Sequence, residues 1–311
     1  MLDHNKEFNN IKVHTQYSIC EGAIKIDDLA DYCKTNKIKA IGLADSFNLC
    51  GALEFAEKIS KSGTQPIIGT QINILSENKL GKITLYATSE QGYKNLTKLS
   101  SKSYLNNKQS HDPYCEIEDL ILNNEDLILL TGNYKDFFGK LFFANKIKHF
   151  EQIINKLKTS YKDRLYIEIQ RHGESQESSY ENFLLNISSS FNLPIIAGQE
   201  VYYLDSNMAE AHDALICIGE KNFIDDKNRF RYSNQHYLKK SDEIKKLYQD
   251  IPEALENNFN FPLRFSFKPK KSKPILPSIS NNKNMSVENE LMDQAKKGLE
   301  KRLNNFILKK N

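Results

Sequence analysis

The chain has 311 residues, enough for one large domain or two small ones, and chains of this size bury roughly three quarters of the surface they expose when unfolded. Apolar residues make up 39% and charged residues 27%, a balance that excludes a disordered chain. A net charge of +3 is too even to mark a nucleic-acid or membrane binder by charge alone. No apolar run approaches the roughly 20 residues of a membrane span, and the opening Met1-Leu-Asp-His-Asn-Lys lacks the apolar stretch of a signal peptide. The five cysteines (20, 33, 50, 115, 217) are odd in number and scattered. They argue against a disulfide scaffold or a zinc ribbon and for a reducing cytoplasm.

In chain order, β-branched runs alternate with helical patterns. Strands are predicted at Ile11–Tyr17, Ala40–Ala44, Pro66–Ile74, Lys82–Ala87, Asp126–Thr131, Leu165–Gln170 and Pro194–Val201, each bounded by Gly, Asn, Asp or Ser. Between them, helices are predicted from the 3,4 spacing of Ile26, Leu29, Ala30 and Cys33, and of Leu53, Ala56 and Ile59. Tyr93, Leu96 and Leu99 mark another, and Phe183, Leu184 and Ile187 a fourth. Strands joined by helices imply parallel pairing, because parallel neighbours need crossovers. The short link between Ile74 and Lys82 reads instead as a hairpin. The expectation is an α/β fold, a distorted seven-stranded β/α barrel.

After residue 260 the composition shifts. Pro262, Pro269, Pro274 and Pro277, mixed with Lys268, Lys270, Lys271 and Lys273, read as an extended basic connector over 261–284. A helix is predicted next, within 285–311: Ser286 caps it, Glu288 and Glu290 suit its first turn, and Leu291, Ala295, Leu299, Leu303 and Phe306 form one stripe before Lys309 and Lys310. The predicted organisation is thus a barrel with its extension over 1–260, the linker, and the first helix of a further domain, in a chain read as truncated.

Chemistry in parallel α/β folds collects at the carboxyl ends of the strands. Those ends carry His14, Thr15, Ser18 and Glu21, then Asp45 and Ser46, Gln71, Lys82, Asn133, Gln170 with Arg171 and His172, and Glu200 with Tyr202. One reading is a metal-assisted hydrolase built on His14, Glu21, Asp45, His172 and Glu200. The other is a polar barrel mouth closed by hydrogen bonds. Residue types favour the second, since Lys82 sets an ammonium where a cation would sit, a repulsion of several kcal/mol in a pocket of low dielectric. His4, His111, His149, His212 and His236 show no ligand spacing and read as surface or structural residues. No G-x-S-x-G, H-E-x-x-H or P-loop occurs.

Lys12-Val-His14-Thr-Gln-Tyr-Ser18 with Glu21-Gly-Ala23 resembles the opening motif of the PHP (polymerase and histidinol phosphatase) domain, and Ile41-Gly-Leu-Ala-Asp45-Ser46 through Phe55 resembles its second motif. Pro66–Gly69, Gly92–Leu96, Leu129–Gly132, Tyr166–Gly173, Asp225–Arg231 with Tyr237–Lys239, and Lys297–Leu303 continue the likeness in register. They follow the version carried by the bacterial replicative C-family polymerases, the DNA polymerase III alpha subunits. The resemblance implies a distorted seven-stranded barrel, and in members with a working site a three-metal cluster. Position by position it places Lys12 at the first histidine of that site and keeps His14. It puts Glu21 at an aspartate, keeps Asp45, and puts Ser46 at a histidine, Gln71 at a glutamate, Lys82 at a histidine, Asn133 at a cysteine, and Glu200 with Tyr202 at an Asp-x-His pair. Lysines and amides are not cluster ligands.

The expected pocket, Lys12, His14, Glu21, Asp45, Ser46, Gln71, Lys82, Asn133, His172, Glu200 and Tyr202, is therefore vestigial, without metal, cofactor or catalytic residue. The resemblance further implies a structural and docking module. Its partners are a separate proofreading exonuclease subunit and the rest of the replicase. DNA is reached through a full subunit whose palm carboxylates hold Mg2+ beyond this chain, and no membrane is involved. The alternative is a metal-dependent phosphoesterase or 3'-5' exonuclease.

Overall fold

The computed structural model describes residues 6–105, 112–275 and 286–307. His4, His111, Pro277, Met285, Lys309, Lys310 and the side chain of Phe306 lie outside the described residues. Two compact units are present, Met1–Lys270 and Lys271–Asn311.

In the first unit the strands are β1 (Lys12–Val13), β2 (Ala40–Ser46), β3 (Gln65–Ser76), β4 (Lys79–Ala87), β5 (Tyr114–Cys115), β6 (Leu127–Leu130), β7 (Leu165–Gln170), β8 (Ile195–Gly198) and β9 (Glu200–Val201). The helices are α1 (Ile26–Thr35), α2 (Ala52–Lys61), α3 (Glu90–Leu105), α4 (Ile117–Leu122), α5 (Phe137–Phe143), α6 (Ile147–Tyr161), α7 (Glu177–Phe191), α8 (Ala209–Glu220), α9 (Ser241–Leu247) and α10 (Pro252–Asn260). The strand order is β8-β7-β6-β4-β3-β2-β1-β9, with β5 beside β3. Only Gln199 separates β8 from β9 along the chain, so the path begins and ends on one extended run and the sheet closes nearly into a barrel. With that run taken as one, seven segments form the wall.

Pairing is parallel except at β4, which runs antiparallel to both β3 and β6. That exception follows from the β3–β4 hairpin. Its turn residues Glu77 and Asn78 both take positive φ, 44° and 60°, the two-residue turn whose twist matches that of the strands. Both strands consequently run further toward the turn than predicted.

The first strand differs more. Only Lys12–Val13 pairs as a strand, although the His14 N–H still donates to the Val201 carbonyl at 2.9 Å. The Asp45 carboxylate then takes the Thr15 N–H at 2.6 Å and the Ser18 hydroxyl at 2.7 Å, which folds Thr15–Ser18 into a turn. Local β-propensity gives way to a buried charged acceptor.

Helices α1 and α2 bury their apolar stripes, Ile26, Leu29 and Cys33 on one and Phe55, Ala56 and Ile59 on the other, against the outer faces of the first strands. Asp27 and Asp28 open α1 and Lys34 closes it, charges matched to the helix dipole. The larger outer core joins α3 to α7, α9 and α10 around Leu85, Leu129, Ile167 and Ile169.

Inside the barrel a third cluster holds Ala40, Ala44, Ile67, Tyr86, Ile128, Leu130, Tyr166 and Ile196, and is completed by Phe261 and Phe265. Both phenylalanines lie in the span the sequence assigns to the linker. The Gln65 side-chain amide donates to the carbonyls of Pro262 and Phe265, both at 3.0 Å. This segment therefore plugs the floor of the barrel, and the compact unit continues to Lys270. Burying an aromatic side chain contributes roughly 1.5–3 kcal/mol, which outweighs the composition signal.

In the second unit α11 spans Val287–Arg302, and the Ser286 hydroxyl accepts the Asn289 N–H at 3.3 Å. Leu291, Leu299 and Leu303 are exposed.

Candidate functional site

Side chains of a strand alternate between faces, and that alternation places the polar mouth. On β7, Tyr166 belongs to the interior cluster while Ile167 and Ile169 belong to the outer core. Glu168 and Gln170 therefore point inward. The same parity turns Ser46 inward beyond Ala40 and Ala44 on β2, Gln71 beyond Ile67 on β3, and Lys82 ahead of Tyr86 on β4. The floor is apolar and the upper layer carries ions, amides and hydroxyls.

Lys12 of β1 is fully buried at the centre of this layer. Its Nζ lies 3.4 Å from Glu168 Oε2, 3.4 Å from Glu200 Oε1 and 3.6 Å from Asp136 Oδ2. Burial opposes the ammonium charge, but the carboxylates, Glu168 foremost, outweigh it and hold the lysine pKa above its usual value. Glu168 and Asp136 have raised pKa values because burial dominates for both. Glu200 is lowered well below the carboxylate range: burial pushes it up, while Lys12 and the hydrogen bond from His14 pull it further down. A Cβ at Gly198 would stand 2.4 Å from Glu168 Oε1, so the missing side chain makes room for this carboxylate.

Glu200 organises the remainder. Oε1 accepts from Gln71 Nε2 at 2.7 Å and lies 3.2 Å from His14 Nε2, and Oε2 accepts from Asn133 Nδ2 at 2.8 Å. The other His14 nitrogen meets the Ser18 hydroxyl at 3.2 Å. A second ion pair closes the rim. Lys82 Nζ donates to Glu21 Oε1 at 2.7 Å and Oε2 at 2.9 Å, and to the Ser46 hydroxyl at 3.1 Å. Burial raises the Glu21 pKa, but Lys82 reverses the sign and it ends lowered. Asp45 carries three donors, Thr15 N–H, Thr15 Oγ1 and Ser18 Oγ. Its pKa is nevertheless raised by burial, which the hydrogen bonds only partly offset.

Histidines and tyrosines wall the other side. Tyr202 stacks on His14 with centroids 4.5 Å apart, and Tyr232 donates to its hydroxyl at 3.3 Å. His172 stacks on His236 at 4.0 Å and accepts the Glu200 N–H through Nε2 at 3.3 Å. Burial lowers its pKa to about 3. His212 meets the Glu21 carbonyl through Nε2 at 2.8 Å. Lys135 lies 4.8 Å from the Phe230 ring centre and 5.5 Å from that of Tyr232, and donates to Glu174 at 2.7 Å. The loop after α8 is thereby held over the mouth.

All eleven positions singled out from the sequence thus meet in one network. Sequence reasoning missed Glu168 and Asp136, the two further carboxylates on Lys12. A glutamate inside the apolar run Leu165-Tyr-Ile-Glu-Ile-Gln170 was a usable signal, because its parity follows Tyr166. Asp136 precedes α5 in a loop and carries no such pattern. His212 and His236, read as surface or structural residues, are buried around the mouth.

The charges of the network weigh against a metal cluster at this mouth. Among the described residues no three His, Cys, Asp or Glu side chains are grouped to hold an ion. A divalent cation about 4 Å from the Lys12 ammonium would meet a repulsion of roughly 8 kcal/mol at an effective dielectric of 20, and the carboxylates it would need are already engaged by Lys12 and Lys82.

A closing barrel with a polar mouth at its strand ends defines the class, and a family model described as the PHP domain matches residues 10–172. The chain belongs to the PHP domain family. It is similar to the DNA polymerase III subunit alpha of Caulobacter vibrioides, 34% identical over 309 residues that cover 97% of this chain and 27% of that protein. The protein of the same description from Rickettsia bellii is 34% identical over 298 residues, 96% of this chain and 25% of that protein. The chain therefore spans about a quarter of the length of these curated relatives. Among solved structures it is similar to an amidohydrolase from Chromobacterium violaceum, at 10% identity and a TM-score of 0.43, covering 62% of this chain and 87% of that one. No described helix is long and apolar enough to cross a membrane.

Proposed function

We propose that this PHP unit serves as a structural and docking module of a replicative DNA polymerase alpha subunit, with a pocket that performs no phosphoester chemistry. The observation that carries the reading is the Lys12 ammonium seated among Glu168, Glu200 and Asp136. An internal cation of fixed charge takes the role a metal would have, holding strands β1, β7 and β9 together, and it offers no open coordination position for water. The named relatives support the replicative context. In that context DNA synthesis, with Mg2+, belongs to the rest of the subunit, the unit docks a separate proofreading exonuclease subunit, and the location is cytoplasmic.

The test is metal content together with activity. After dialysis, elemental analysis of the purified chain is expected to give far less than one Zn or Mn per chain. Added Mn2+ is expected to elicit neither phosphate release from p-nitrophenyl phosphate nor trimming of a labelled oligonucleotide. Stoichiometric metal with turnover overturns the proposal in favour of a metal-dependent phosphoesterase or 3'-5' exonuclease. Co-elution with the exonuclease subunit tests the docking role, and its failure leaves that role refuted.

A further inference from the structure

At the barrel floor, away from the mouth, a groove of about 1160 Å³ runs between α3 and the extended segment that follows Phe265. One wall carries Lys94 and Lys98, one helical turn apart and on the same face of α3. The opposite wall carries Lys268 and Lys270, both exposed, with Pro269 buried between them. Pro269 restricts the backbone between them, and both lysines line the groove. The half-buried rings of Tyr93 and Phe267 lie together in the groove, centroids 5.4 Å apart and tilted by 38°.

The charge there is lopsided. Among the described residues Glu90 is the only acidic one lining the groove, and it is paired with Lys94 at 2.9 Å. Lys270 also acts on Glu90 and helps to lower its pKa, after Lys94, while among the described residues Lys98 and Lys268 have no ion-pair partner. Four lysines against one glutamate leave three positive charges, as much as the net +3 of the whole chain. The even balance of the sequence thus conceals one basic groove on a surface that otherwise averages to neutrality. Two facing rows of ammonium groups with aromatic faces between them are the chemistry that receives a polyanionic strand and stacks its bases.

We propose that this groove binds single-stranded nucleic acid through its phosphates, without sequence preference and independently of the pocket at the barrel mouth. An acidic peptide would satisfy the lysines but leave the two rings without a planar partner. The exposed Lys268 and Lys270 suit a flexible strand lying alongside.

The experiment uses the full 311-residue chain and fluorescence anisotropy of a fluorescein-labelled dT15, titrated from 25 to 200 mM NaCl. Binding is expected with a Kd of roughly 1–100 μM near physiological salt, and log K against log salt is expected to fall with a slope of about −2 to −3, as for three or four neutralised phosphates on a single strand. The variant K98E/K268E/K270E is expected to lose at least tenfold in affinity at unchanged melting temperature. The control K25E/K148E/K227E makes the same charge change at exposed lysines elsewhere and is expected to lose less than threefold. Absence of binding at the lowest salt, or equal losses in the two triple variants, overturns the proposal. So does displacement of dT15 by polyglutamate at equal charge concentration, which would make the groove an acidic-peptide site.

Discussion

Replacing Lys12 by Met removes the ammonium while keeping an unbranched side chain of similar length. At an effective dielectric of 20, each contact at 3.4 Å is worth about 5 kcal/mol of attraction, so the three carboxylates together supply about 14 kcal/mol of gross attraction. Burial of four ionisable groups and repulsion among the acids offset most of that. What remains on deleting one partner of a buried network is typically about 3–5 kcal/mol of lost stability, the loss expected for Lys12→Met at pH 8.

The pH dependence carries the sign. Without Lys12, Asp136 and Glu168, already raised by burial, rise further above their unfolded values. A carboxyl whose folded pKa lies above its unfolded value stabilises at low pH and loses that contribution as pH rises through the folded pKa. The gap between native and variant protein should therefore narrow from pH 8 toward pH 5. Urea unfolding followed by circular dichroism at 222 nm reads it, and the absence of tryptophan makes this the convenient probe. The double variant K12M/E168Q should recover at least about 1 kcal/mol relative to K12M. A wild-type urea midpoint for K12M at pH 8, or a penalty that does not change with pH, would refute the ion-network account.

Phe261→Ala opens the barrel floor, where the ring is buried against Tyr86 and Tyr166, and should cost about 3–5 kcal/mol by chemical denaturation; a loss under 1 kcal/mol would mean that the plug is dispensable. Asp45→Asn leaves one acceptor oxygen for three donors and should cost about 1.5–3 kcal/mol; an unchanged urea midpoint would remove Asp45 as the organiser of the Thr15–Ser18 turn. His172, held at a pKa of about 3 by burial, refuses a proton that the unfolded chain accepts near pH 6.5. Its contribution to stability therefore falls as pH drops through 6.5, by up to about 1.4 kcal/mol per pH unit. His172→Gln should flatten the urea-midpoint profile between pH 6.5 and 5, and parallel profiles would contradict this reading.

Strands were the legible part of the fold, because strands covered on both faces read as nearly continuous apolar runs such as Ala40–Ala44 and Leu127–Leu130. The two-residue β5 leaves no run to read. The shortening of the first strand depends on Asp45, thirty residues away along the chain, which no local pattern encodes. Helix α6 was readable in principle, with Phe150, Ile153, Ile154 and Leu157 at helical spacing, yet went unassigned. So did α4, α5, α8, α9 and α10, whose stripes are short or mixed. At the mouth, residue types alone left metal hydrolase and polar closure both standing. The strand ends supplied ten of the eleven positions and motif resemblance added Lys12, while Glu168 and Asp136 needed the closed sheet to bring β7 and the α5 loop to β1.

The floor plug also bears on how the unit is made. Phe261 and Phe265 fill the centre of the barrel, and the Asn258 side chain exchanges hydrogen bonds with the backbone of Asn9, so the interior needs residues from both ends of the unit. A ribosome that has extended only as far as β9 holds a wall without its floor. Domains fold as units during synthesis at about 5–20 residues per second. The roughly sixty residues from Val201 to Phe265 thus impose a wait of several seconds in which inward-facing apolar surface lacks its cover. For this barrel, completion of the interior is expected late in synthesis, with the arrival of two phenylalanines.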